Sequence, residues 1–197
     1  STRYTNQAEF SPDGKQVAFI SNRDGAPALY VAPLDGEARK VSQDDSFIVM
    51  RPHWSHDGRH VHATRVGRRE GTTAIPQAVR YDAKDGSVEV LTALGDAVVD
   101  VRETDGGRAL IVGETAGNAI RLLRRGADGT MERLSLPLVS EYQVAGDRVA
   151  YMQPDLRGLT LCELRTLQCE PVPVTIDDSA RHDWLLTPDA IWYRAAT

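Results

Sequence analysis

One phrase occurs twice, in phase, in the first third of this chain. Phe10-Ser11-Pro12-Asp13-Gly14-Lys15 is followed by Val17-Ala18-Phe19-Ile20. Starting 44 residues later, Trp54-Ser55-His56-Asp57-Gly58-Arg59 is followed by Val61-His62-Ala63-Thr64. Each copy reads as a strand, a tight turn and a second strand. Asp-Gly suits positions that need positive φ, so each pair is a hairpin signal. Internal repeats of this length mark blades or solenoid units and constrain the fold more than local propensity does.

The repeat extends beyond the phrase. The first unit continues through the turns Asp24-Gly25 and Leu34-Asp35-Gly36, with Ala28–Ala32 and Ala38–Val41 as further strands. The second has a longer excursion, Gly67 to Thr73, then Gln77–Tyr81, a turn at Asp85-Gly86 and Val88–Leu91. The third turns at Asp105-Gly106 and Asp128-Gly129, and the fourth at Gly146-Asp147. Units therefore span about 8–45, 50–93, 97–136 and 140–175, with a partial unit over 182–197. Four short strands in about 40 to 50 residues is the pattern of a propeller blade. The expected fold is all-β, an antiparallel β-propeller segment of four blades plus part of a fifth. A β-sandwich with many hairpins is the alternative, but it does not require one phrase to recur in phase. The expected core includes Phe10, Val17, Phe19, Leu29, Val31, Trp54, Val61, Ala63, Val79, Ile111, Leu122, Val149, Tyr151, Leu161, Trp184 and Ile191. A closed four-blade ring is one alternative, but two strands of a fifth unit favour a fragment of a larger propeller or a half-ring, whose exposed blade edges would favour self-association.

Composition excludes several classes. With 41% hydrophobic and 26% charged residues the chain is neither disordered nor membrane-like. Its net charge is −5, so nothing favours a nucleic-acid surface. Arg65, Arg68 and Arg69, and the pair Arg124-Arg125, read as solvated loop charges. No stretch reaches the roughly 18 apolar residues of a membrane helix, and no leader peptide is visible.

The two cysteines flank Glu163-Leu164-Arg165-Thr166-Leu167-Gln168. A two-residue turn at Arg165-Thr166 sets Cys162 directly opposite Cys169, within reach of a disulfide. Two buried thiols are the alternative; the disulfide is favoured, and with it an oxidising compartment.

No residue set commits the chain to chemistry. His53, His56, His60 and His62 are a dense imidazole cluster. However, only His60 and His62 share a strand face, and metal sites need three or four convergent ligands. Any metal is expected at His53 with His56, or His60 with His62, together with a distant carboxylate. Ser11 and Ser55 lie in repeated turns with no repeated base, and no Gly-x-Ser-x-Gly elbow occurs. Asp177-Asp178 and His182-Asp183 read as a solvated inter-blade loop. No catalytic, cofactor-binding or metal residue is therefore assigned, and no cofactor is expected.

The repeated phrases, with Ser21-Asn22-Arg23-Asp24-Gly25 before Leu29-Tyr30-Val31, resemble the repeats of TolB-like β-propellers. The match is close over the first 90 residues. Beyond them it rests on strand and turn order, because the third unit lacks the proline and the fourth the Asp-Gly order. The resemblance implies that Pro12 and Asp13 shape a turn and that Phe10 and Trp54 pack between blades. It supplies no catalytic residue. Such propellers occur in the Tol-Pal envelope protein, as gating domains of prolyl-oligopeptidase-like serine hydrolases, and in CadC-like membrane-anchored winged-helix regulators. The favoured expectation is a non-enzymatic module that binds a protein or peptide or senses an envelope signal. It would be periplasmic or otherwise extracytoplasmic, and tethered to the inner membrane through sequence outside this chain.

Overall fold

The computed structural model describes residues 5–68, 76–93, 97–154, 158–176 and 184–194. The first sheet holds β1 (Thr5–Phe10), β2 (Gln16–Ser21), β3 (Ala28–Pro33) and β4 (Arg39–Lys40). The second holds β5 (Phe47–Trp54), β6 (His60–Gly67), β7 (Gln77–Asp82) and β8 (Val88–Val90). The third holds β9 (Val98–Thr104), β10 (Ala109–Ala116), β11 (Ala119–Arg125) and β12 (Met131–Arg133). The fourth holds β13 (Glu141–Ala145), β14 (Arg148–Met152), β15 (Gly158–Glu163) and β16 (Cys169–Thr175). Each is an up-and-down meander in chain order, and β17 (Trp184–Leu186) pairs with β18 (Ile191–Tyr193) in a two-stranded sheet. The fold is all-β, with four antiparallel propeller blades. Among the described residues the only helical element is a 3-10 turn at Asp105–Gly107.

The chain divides into two compact units, residues 1–102 and 103–197. In the first, Ala18, Ile20, Leu29 and Val31 of blade 1 pack on Val49, Trp54, Val61, Ala63, Val79 and Tyr81 of blade 2. In the second, Ile111, Leu122 and Leu134 of blade 3 pack on Tyr142, Val149, Tyr151 and Cys162 of blade 4. Blade 4 also packs on Trp184 and Leu186 of the two-stranded sheet, through Ala150, Met152 and Leu159. Strand alternation gives blade 4 two apolar faces, Val149 and Tyr151 toward blade 3 and Ala150 and Met152 toward the two-stranded sheet.

The repeated turn is built identically in both copies. The Ser11 hydroxyl donates to Asp13 Oδ1 at 2.7 Å, and Oδ1 accepts from the Lys15 amide at 3.1 Å. Ser55 donates to Asp57 at 2.6 Å, and Asp57 accepts from the Arg59 amide at 2.9 Å. Gly14 and Gly58 take φ of 69° and 68°, where a side chain would be strained. These bonds hold the Asp13 and Asp57 carboxyls below their ordinary pKa, the serine hydroxyl being the main cause.

The outer hairpins also repeat. In blade 2 the Asp82 amide donates to Ser87 O and the Gly86 amide to Asp82 O. In blade 4 Glu163 and Gln168, then Leu167 and Glu163, make the same bonds. The expected two-residue turn at Arg165-Thr166 is thus a four-residue one, Leu164 to Leu167. Its last residue has positive φ, Gly86 at 78° and Leu167 at 56°. The register outside the turn is unchanged, so Cys162 faces Cys169 and the two form a disulfide with Cα atoms 4.1 Å apart.

Most expected core residues are buried, with four departures. Val17, Leu161 and Ile191 are only half-buried, and Phe10 is 64% exposed. Its repeat counterpart Trp54 is buried against blade 1, donating its indole N–H to Glu9 O at 3.0 Å. Phe10 pairs with Val17, on the face of blade 1 turned away from blade 2.

Candidate functional site

The polar side chains of the first unit converge where the first strands of successive blades meet. β1 carries a bulge between Asn6 and Glu9, and β5 carries one between Met50 and His53. Each bulge holds a non-glycine residue at positive φ, Gln7 at 51° and Arg51 at 54°. These are the same position one repeat apart, and the Gln7 side-chain oxygen accepts from the Arg51 amide at 2.7 Å. A bulge bends its strand and re-aims the following side chain. Here it turns Glu9 and His53 toward one another.

His53 Nδ1 lies 2.6 Å from Glu9 Oε2, and its Nε2 lies 3.1 Å from Asp100 Oδ1 on β9. Asp100 is buried and also accepts from Arg102 Nε at 2.9 Å. One imidazole therefore ties together three successive first strands. Burial and the Arg102 charge oppose its protonation. The bonds to Asp100 and Glu9 outweigh them, and the His53 pKa is raised. Burial pushes the Asp100 carboxyl up, but Arg102 and His53 hold it far below the carboxylate range.

The other histidines do not join this cluster. His56 is exposed in the turn, and His60 Nδ1 stands 3.9 Å from Asp57. His62 faces His53 across β5–β6 but is fully buried, with no hydrogen-bond partner for either nitrogen. Both nitrogens of His53 thus contact carboxylates, while His60 and His62 lie two residues apart on one face of β6. Among the described residues no group of three or more His, Cys, Asp or Glu is placed to hold a metal ion.

Ser11 and Ser55 are committed to their turns. Besides bonding the aspartates, their oxygens accept from the amides of Gln16 and His60 at 2.9 Å. Two basic residues expected in solvent have structural partners. Arg65 stacks 4.1 Å over the Phe47 ring, and Arg124 donates to Leu164 O. Asp177, Asp178, His182, Asp183 and residues 69–73 lie outside the described residues. A cleft of about 740 Å³ opens between blades 1 and 2, lined by Gln16, Pro33, Arg39, Arg59, Asp82 and Lys84. A smaller one of about 380 Å³ lies between the two repeated turns.

Blades of this construction define a TolB-like β-propeller. The chain belongs to the family of the lipoprotein LpqB β-propeller domain, whose match covers residues 1–150. It is similar to the Tricorn protease homolog 1 of Streptomyces coelicolor, 37% identical over 76 residues, which is 36% of this chain and 7% of that protein. The Tol-Pal system protein TolB of Alcanivorax borkumensis is 38% identical over 56 residues, 28% of this chain and 13% of TolB. The chain thus spans a small fraction of the curated relatives it matches. The crystal structure of TolB from Acinetobacter baumannii superposes with a TM-score of 0.69 at 20% identity, over 90% of this chain and 45% of that one. No helix among the described residues is long and apolar enough to cross a membrane.

Proposed function

We propose that this chain is a non-enzymatic recognition module, an extracytoplasmic propeller region that binds a protein or peptide or senses an envelope signal within a larger bacterial regulator. Residues 1–197 act in this reading as a single, partial propeller region without cofactor or assigned catalytic residue. The observation that carries it is the commitment of the polar groups. The repeated serines and aspartates close turns, and both nitrogens of His53 are held by carboxylates. What remains for function is surface, the loops and clefts between blades, as propellers commonly use. The LpqB and TolB relationships and the disulfide support an extracytoplasmic location, with tethering to the inner membrane through other sequence. A CadC-like regulator context and self-association through blade edges belong to the same proposal.

The second reading is the gating propeller of a prolyl-oligopeptidase-like hydrolase, favoured by the similarity to a Tricorn protease homolog. Flanking sequence separates the two. An α/β-hydrolase domain supports the hydrolase, and an upstream winged helix with one membrane span supports the regulator. For the chain itself, peptides selected by display should bind and be recovered intact. Substitutions at Arg59 and Lys84 in the larger cleft, or in the Gly67 to Thr73 and Thr175 to Asp183 loops, should weaken them. Turnover of peptide or ester substrates by pure protein, abolished by one defined substitution, would overturn the non-enzymatic reading.

A further inference from the structure

His62 lies on β6 with 0% exposure and no partner for either ring nitrogen. Buried polar groups are nearly always hydrogen-bonded, so an unpartnered imidazole is a marked exception. Its neighbours make a charged ring harder still to accommodate. Directly opposite stand His53 on β5 and Arg80 on β7, with His60 two residues away on the same face of β6. Arg80 is paired to Glu89 on β8, and His53 to Glu9 on β1 and to Asp100 on β9, where Arg102 also sits. Asp57, in the turn before β6, lies 3.9 Å from His60. The basic groups Arg80, His60 and His53 all oppose a proton on His62, and Asp57 weakly favours one.

We propose that blade 2 contains an acid-triggered opening element, in which protonation of His62 frees β6–β8 while His53 keeps β5 pinned to β1 and β9. The His62 ring accepts a proton only when β6 parts from its neighbours and water reaches it. The Glu9–His53–Asp100 tie gains instead from a second proton, taken up by His53 itself, so opening is confined to the strands beyond β5. The proposal is independent of what the propeller binds.

Burial, with the charges of Arg80, His60 and His53, brings the His62 pKa down to about 3 from 6.5. A group depressed in the closed state and ordinary in the open one costs stability as pH falls below 6.5. At pH 5 the open form gains about thirtyfold in relative population. His53 has the opposite sign. Its raised pKa gives a contribution fully present below 6.5 and lost as pH rises through the folded value.

Amide hydrogen exchange at pH 7.5 and 5.0, corrected for intrinsic rates, tests this. Protection of β6 and β7 should fall about thirtyfold at pH 5, while β10, β11, β14 and β15 change much less. His62→Leu should abolish the difference, and His62→Gln, which cannot titrate, should do the same. Equal loss of protection in all blades would overturn the proposal, as would a full pH effect in either variant. The wild-type comparison of β6 with β10 decides the matter even where a variant fails to fold.

Discussion

Glu9 and His53 occupy the same place in successive repeats, as do Gln7 and Arg51, and each pair is bonded across one repeat length. Trp54 reaches back to Glu9, Arg39 to Ala83 O, Arg124 to Leu164 O and Thr104 to Gly146 O, with sequence separations of 40 to 45. Neighbouring blades are thus joined by side chains whose spacing is the repeat itself. Phe10 and Trp54 test this directly, because a large aromatic at one repeat position has two fates, exposed in the first copy and buried in the second. Trp54→Ala should destabilise by about 3–5 kcal/mol, and Phe10→Ala by under about 1 kcal/mol. Urea midpoints of the two variants would show it, and equal losses would mean that Phe10 is covered. The turns were legible in the sequence because Asp-Gly chemistry is local. The Glu9–His53–Asp100 tie was not. It depends on bulges at Gln7 and Arg51, residues with no turn preference, and on contacts between blades. Its one visible trace is that Glu9 and His53 are 44 residues apart.

The outer hairpins show how one element tolerates different sequences. Asp82–Ser87 and Glu163–Gln168 share their backbone bonds but no residue. Gly86 is required in the first, since a Cβ there would stand 2.5 Å from the Val41 carbonyl oxygen and φ is +78°. In the second, Leu167 accepts positive φ and packs against the blade 3–blade 4 core. The cysteine register does not depend on the turn length, because two-residue and four-residue loops both set residue 162 opposite 169. The disulfide closes a short loop, so reduction should lower stability by about 2 kcal/mol. Alkylation under denaturing conditions should label no thiol before reduction and both afterwards. Two thiols that alkylate in a sample kept oxidising throughout would remove the principal support for an extracytoplasmic home.

At the scale of the whole molecule, repetition explains what is exposed as well as what is buried. The last strands of blades 2 and 3, Val88–Val90 and Met131–Arg133, are exposed along their length. Leu185 and Trp192 are directly paired on the two-stranded sheet and stand 54% and 65% exposed. Phe10 and Leu34 of blade 1 are also exposed, at 64% and 62%. The fold class and strand order were legible because the pattern recurs four times. The exposure of Phe10 was not, because the first two copies both place a large aromatic there, Phe10 and Trp54, whether or not a neighbour covers it. Stacked blades predict that backbone protection also repeats. Hydrogen exchange at pH 7.5 should find the middle strands β2, β3, β6, β7, β10, β11, β14 and β15 slow, and the outer strands β4, β8 and β12 fast, in the same order within each blade. Outer strands as slow as the middle ones, or protection with no recurrence from blade to blade, would contradict a run of four like blades.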